Sequence, residues 1–208
     1  MEGNGYSTDG IEVLEFDESV KRWLDMYFGT GRGSPDLATR VLSGVLAHAL
    51  HPAARLAAAH TLRATAEVTG DLSFVVTDDQ ADALAGSGSV RLGYNGSLLG
   101  PVRWISAAAA AVSSRTVVEV WRDGRGLCQE LAGLHPIAEP RDIHPPTGVG
   151  TRVSFELNNA YFGPGQVIAA NLASLDLHGP DCVDPAGPGH VTVIDMRGRE
   201  EPIVIPYR

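Results

Sequence analysis

An imidazole and a pair of adjacent carboxylates are the groups in this chain best suited to moving protons. His48 lies on a helix-period stripe with Val41, Gly44, Val45 and His51, and Asp78-Asp79 ends an alternating apolar run. Two carboxylates close to such a histidine would have their pKa values split by proximity, leaving one group as acid and another as base. Both features also have bland uses. A histidine on an apolar helix face packs as a satisfied core residue, and aspartates at a strand end cap the turn that follows. The glycines between Gly86 and Gly100 suit a flexible flap or an ordinary surface loop equally well. His135, His144, His178 and His190 lie in Pro/Gly-rich loops without metal-ligand spacing, and no metal site or cofactor is expected from them.

These groups need elements to hold them. Apolar periodicity predicts helices over Val20 to Phe28 and Leu37 to Leu50, bounded by Gly29, Gly31, Gly33, Pro35 and Pro52, with Asp36 as an N-cap. Alternation then predicts strands over Leu62 to Val68 and Leu72 to Thr77, joined at Gly70-Asp71. An alanine-rich helix follows from about Val102 to Ser113, small enough in side chain to pack close on a sheet. Strands over Thr116 to Trp121 and Gly126 to Leu131 flank the Asp123-Gly124 turn, and another runs from Thr151 to Leu157. Ile168 to Leu175 has the spacing of a last helix, and Val191 to Met196 pairs with Pro202 to Tyr207. The expected fold class is α+β in two layers, helices on a mixed, mostly antiparallel sheet.

Composition sets bounds. At 208 residues, with 44% hydrophobic and 20% charged, the chain suits a single compact domain. A formal net charge of −9 gives no basic footprint for phosphate backbones, so no nucleic-acid partner is expected. The apolar run Ala107 to Val112 is far short of the roughly 20 residues of a spanning helix. Met1 is followed by acidic and glycine-rich residues, not by a signal peptide's basic cap and apolar run. Cys128 and Cys182 are isolated thiols, which points to reduced, structural cysteines. No membrane partner and a cytoplasmic location are the expectations.

The segment Tyr6-Ser7-Thr8-Asp9-Gly10-Ile11-Glu12-Val13-Leu14-Glu15, continuing to Val20-Lys21-Arg22 and Met26-Tyr27-Phe28-Gly29, resembles the start of the gyrase B ATPase domain. The likeness continues in Gly70 to Asp79, similar to the family strand that ends in D-D-G-R-G. Val117 to Gln129 resembles the family's strand pair around R-E-G, and Gly150-Thr151-Arg152-Val153-Ser154-Phe155 its G-T-x-V-x-F strand. The resemblance implies one domain over residues 1–208 with the two-layer GHKL, or Bergerat-type, sandwich. Residues 1–29 would be the N-terminal arm and first helix, and 80–101 a shortened lid. It also implies that the transducer domain and its catalytic lysine are missing, and that a homodimer could form through the arm, where Tyr6 matches a tyrosine that reaches into the partner.

The same register implies that ATP hydrolysis is lost. Gly44 stands where the family has its general-base glutamate and His48 where an asparagine holds Mg²⁺; glycine offers no base, and imidazole is a poor ligand for so hard a cation. Asp78 matches the adenine-reading aspartate. The glycines after it have become Gln80-Ala81-Asp82, and the Asp82 carboxylate would repel phosphates. The lid glycines survive in part as Gly96 and Gly100, with Pro101 removing an N–H donor.

Two functions follow from this register. In the first, the former nucleotide pocket takes a small, largely apolar organic molecule. His48, Asp78 and Asp79 are then catalytic, as in an isomerase, cyclase or lyase of specialised-metabolite biosynthesis. Gly44, Val45, Asp82, Gly96, Gly100, Thr151 and Val153 contact the ligand, with Val75 and Ile105 also lining the cavity, and His48 titrates in the physiological range. In the second, the domain is a non-catalytic pseudo-ATPase that binds a ligand, sequesters a drug or pairs with another subunit.

Overall fold

The computed structural model describes residues 13–50, 63–84, 86, 89–177, 190–198 and 201–207. Tyr6, His51, Pro52, Leu62, Gly88, His178, Cys182 and Arg199 lie outside the described residues.

The helix expected over Val20 to Phe28 is two helices. The first, α1 (Phe16–Arg22), starts earlier, with the Glu15 N–H donating to Glu18 Oε2 at 3.2 Å. Asp17 and Glu18 in its first turn and Lys21 and Arg22 in its last complement the helix dipole. Trp23 then leaves helical geometry at φ −129, ψ 57, and α2 (Leu24–Phe28) follows, closed by Gly29 in the left-handed conformation at φ 68. The third helix, α3 (Leu37–Leu50), spans the range its periodicity predicts and buries Leu37, Ala38, Val41, Leu42, Val45, Leu46 and Ala49 along one stripe. A fourth, α4 (Trp104–Ala111), is preceded by a 3₁₀ turn, Pro101–Arg103. Ala107 to Ala110 are completely buried.

Among the described residues the strands form one nine-stranded sheet. In chain order they are β1 (Arg63–Gly70), β2 (Ser73–Asp78), β3 (Ser113–Arg122), β4 (Arg125–Ala132), β5 (His135–Pro136), β6 (Arg141–Ile143), β7 (Gly150–Leu157), β8 (His190–Asp195) and β9 (Ile203–Tyr207). The order across the sheet is β5-β4-β3-β7-β2-β1-β8-β9, with β6 also on β4. Only β1 and β8 run parallel; every other pair is antiparallel. The fold is therefore mixed α+β with a mostly antiparallel sheet. The β3–β4 hairpin turns through Asp123 and Gly124, both at positive φ (52 and 77), as a primed two-residue turn requires.

Alternation assigns the two sheet faces. Ala64, Ala66 and Val68, Phe74 and Val76, Val118 and Val120, and Val153 and Phe155 join the helices in one core, where Phe74 stacks on its cross-strand partner Phe155 at 4.9 Å between ring centroids. The opposite face carries ion pairs between Arg115 and Glu130, Arg115 and Glu156, and Arg152 and Glu67. These are half-exposed and contribute little to stability.

The helix expected over Ile168 to Leu175 is absent. Its apolar residues Ile168, Leu172 and Leu175 are buried, but as irregular chain, because other elements satisfy the backbone. The Ile168 N–H donates to the Asp71 carbonyl (2.8 Å), and the Ala169 N–H to Thr39 Oγ1 (2.9 Å). Arg197 donates to the carbonyls of both 168 and 169, and the Tyr207 hydroxyl to that of Leu172.

Two glycines on the sheet and its covering helices make opposite predictions. A Cβ on Gly150 would lie 2.4 Å from the Trp121 ring and 2.7 Å from the Asp78 carbonyl oxygen, so Gly150→Ala should lower stability by about 1–3 kcal/mol in chemical denaturation. A Cβ on Gly44 would meet Phe28 and Ile105 at 3.5 and 3.7 Å, ordinary contact distances. Gly44→Ala should therefore be neutral or stabilising, by up to about 1 kcal/mol from helix propensity.

Candidate functional site

The sequence of β2 ends Val76-Thr77-Asp78, and alternation turns Val76 and Asp78 toward the helices while Val75 points to the other face. The Asp78 carboxylate accepts the Gln80 N–H at 3.0 Å, which bends the chain out of the sheet. Gln80 fastens that bend on both sides. Its side-chain amide donates to the Ala49 carbonyl near the end of α3 (3.2 Å), and its own carbonyl accepts from Thr151 Oγ1 on β7 (2.6 Å). A cavity lies here between layers, lined by residues that include Val45, His48, Val76, Asp78, Gln80, Asp82, Val102, Arg103, Ser106 and Val153.

Arg103 dominates it. The guanidinium donates from Nη1 to Asp78 Oδ2 (2.7 Å) and from Nη2 to Asp78 Oδ1 (2.8 Å), a bidentate fork, and Nη2 donates also to the Gln80 carbonyl (3.0 Å). Its Nε lies 3.0 Å from Asp82 Oδ2, an ion pair by distance in which no hydrogen bond is aligned. Burial alone would pull the guanidinium's pKa down; the Asp78 carboxylate, and then Asp82, hold it above its ordinary value. Arg103 is 7% exposed and Asp78 5%, so this is an interior cluster of one cation and two anions. The space left beside it is about 10 Å³, room for roughly one water molecule.

His48 and Asp78 thus both line this cavity. The imidazole packs edge-on to Trp104 at 5.6 Å, and its buried Nε2 has no hydrogen-bond partner. Burial first, then the Arg103 cation, lower its pKa to about 4, against a weaker opposing pull from Asp78. The expectation that His48 titrates in the physiological range is corrected: it stays neutral there.

The remaining expected site residues separate into two groups. Val45, Val153 and Asp82 line the cavity, Asp82 as a partner of Arg103 and not as an open repelling charge. The others sit elsewhere. Gly44 packs against Phe28 and Ile105, which replaces the expectation that Gly44 and Ile105 face the cavity. Asp79 turns toward β1 and accepts the Arg63 N–H at 3.2 Å. Thr151 acts through the Gln80 carbonyl. Gly96 and Gly100 belong to a folded knot in which the Gly93 N–H bonds to the Ser97 carbonyl (2.7 Å) and the Tyr94 N–H to the Leu99 carbonyl (3.0 Å). Gln129 on β4 clamps that knot by accepting the Leu98 N–H at 2.8 Å.

Sequence reasoning missed Arg103, Gln80, Ser106 and Gln129. One signal pointed to the arginine: it is the single charge at the head of an otherwise apolar helix, and a cation in that position must find carboxylates to be buried. Among the described residues no group of three or more His, Cys, Asp or Glu is placed to hold a metal ion, and no helix is long and apolar enough to cross a membrane. No family model matches the chain, and no curated protein matches it either.

Two measurements probe the site. Arg103→Met leaves Asp78 and Asp82 buried without a counter-charge and should cost about 3–5 kcal/mol in denaturant unfolding. For His48 the folded pKa of about 4 lies below the ordinary 6.5, so between these values the unfolded chain binds the extra proton. Stability from the neutral imidazole is complete above about pH 6.5 and falls as the pH drops toward 4, on the order of 3 kcal/mol in all. The stability advantage of wild type over His48→Phe should shrink accordingly from pH 7 to 4, with the His48 imidazole still neutral by NMR at pH 6.

Proposed function

We propose that this chain is a gyrase-B-like, GHKL-type domain that does not hydrolyse ATP and acts as a non-catalytic module. The observation that carries the proposal is the Arg103 fork on Asp78. Under the gyrase-like register Asp78 is the carboxylate that would accept a base's N–H donors, and both of its oxygens are already taken by an internal side chain. Further support comes from the absence of a general base at Gly44, the folded knot around Gly96 and Gly100, and a cavity too small for a nucleotide. Catalysis by His48 with Asp78 is disfavoured on the same grounds. Both oxygens of the Asp78 carboxylate are occupied by Arg103, which leaves no free lone pair aimed at a substrate, and a histidine with a pKa of about 4 is a weak base.

Of the forms such a module can take, subunit pairing has the most support. Val13, Trp23 and Met26 are 87%, 44% and 65% exposed, and all lie on the first two helices and their lead-in. Exposed apolar side chains on neighbouring helical turns suit a protein contact if they form one patch.

The purified protein should release no phosphate from Mg·ATP above a buffer blank and show no nucleotide-dependent rise in melting temperature. Nucleotide-dependent stabilisation, or phosphate release abolished by Asp78→Asn, would overturn the proposal. Light scattering across a concentration series then addresses pairing. Self-association that is weakened in Trp23→Ser/Met26→Ser is the expected result, whereas a monomer throughout argues for a ligand-binding module instead.

A further inference from the structure

Several acceptor atoms converge on one planar group. Asp78 Oδ2 and Oδ1 lie 2.7 and 2.8 Å from the terminal nitrogens of Arg103, the Gln80 carbonyl oxygen lies 3.0 Å from the second of these, and Asp82 Oδ2 lies 3.0 Å from Nε. These acceptors are also held by bonds in which the arginine takes no part. Asp78 ends β2, and its Oδ1 accepts the Gln80 N–H at 3.0 Å. The Gln80 carbonyl accepts from Thr151 Oγ1 at 2.6 Å, and the Gln80 side-chain amide is moored to the Ala49 carbonyl at 3.2 Å. Loss of the side chain at 103 removes none of these bonds.

The arginine meets this set incompletely. Its Nε is close to Asp82 yet makes no aligned hydrogen bond, and a stem rooted at the head of α4 limits how the head group turns. Guanidinium itself has no stem and carries one more N–H, so it can keep the fork on Asp78 while turning toward Asp82. The charges agree. Without Arg103 the cluster holds two buried carboxylates and no cation among the groups that contact them, an arrangement that favours uptake of one positive charge.

We propose that Asp78, Asp82 and the Gln80 carbonyl form a receptor for a guanidinium-type cation, and that Arg103 is its tethered occupant, closing the site to free ligands. The class of ligand is small, planar and singly positive, as in guanidinium and amidinium compounds. A phosphate is repelled by both carboxylates. Ammonium is a compact point charge that does not match the two parallel N–H directions of the fork, and urea has the planar shape without the charge. Cutting Arg103 back to Cβ empties the space of the head group and its stem, which joins the small cavity lined by His48, Val102 and Ser106. The receptor stands apart from the proposed loss of ATP hydrolysis, and either can fail without the other.

The test is Arg103→Ala in the full chain, titrated with guanidinium chloride at constant ionic strength and followed by melting temperature and by amide NMR shifts from Asp78 to Asp82. So small a ligand binds no tighter than tens of micromolar, so half-saturation is expected between about 0.1 and 10 mM, far below the molar range in which the same salt denatures. The expected result is a saturable rise in melting temperature in the variant and none in wild type. Ammonium and urea at the same concentrations should give no rise, and adding Asp78→Asn should weaken the response at least about tenfold. If Arg103→Ala is unfolded in buffer, folding induced by guanidinium over the same range, read by circular dichroism, is the expected result. No saturable effect, equal stabilisation by ammonium or urea, a response unchanged by Asp78→Asn, or the same response in wild type would each overturn the proposal.

Discussion

One buried cation held by two carboxylates organises the centre of this molecule. Arg103 reaches from the head of α4 to Asp78 at the end of β2 and to Asp82 in the turn beyond it, so a single guanidinium ties the helical layer, the sheet and that turn together. Desolvating such a group is expensive unless every polar contact is made, and the geometry follows from that requirement. The fork on Asp78 takes two of the guanidinium's N–H directions, the Gln80 carbonyl takes another, and Thr151 and Ala49 hold Gln80 in place. Removing the arginine would loosen not one contact but the whole junction.

The same cluster gives His48 its chemistry. Burial first, and then the nearby Arg103 charge, keep the imidazole neutral over the working range of pH. On the proposed reading, a pocket that once served nucleotide has become an internal ion cluster with a packing histidine beside it. The carboxylate at Asp82 is well suited to balancing Arg103.

Local patterns were legible in the sequence to the degree that they were local. The stripe from Leu37 to Leu50 gave a helix of that length, and Asp123-Gly124 gave its hairpin, because periodicity and turn chemistry act over a few residues. Ile168, Leu172 and Leu175 have the spacing of a helix and form none, since Asp71, Thr39 and Arg197, all distant in sequence, claim the backbone there. The break at Trp23 and the short strands β5 and β6 in the Pro-rich stretch gave no clear sequence signal. For the site, the sequence placed His48 and Asp78 in one cavity, and there its reach ended. The lone charge at the head of α4 hints that Arg103 needs carboxylates, but residue type does not say that Asp78 and Asp82 are the ones it reaches.

The pairing of β1 with β8 sets the pace at which all this can assemble. Arg63 to Val68 lie parallel to His190 to Asp195, so a strand early in the chain waits for one near its end. Until β8 arrives, β1 is an open edge with free N–H and C=O groups, able to join any other strand it meets. Contacts of such long sequence separation slow folding and lengthen that exposed interval. During synthesis the seven strands β1 to β7 precede β8 and stand without it, an interval in which an unpaired strand edge favours association with other chains.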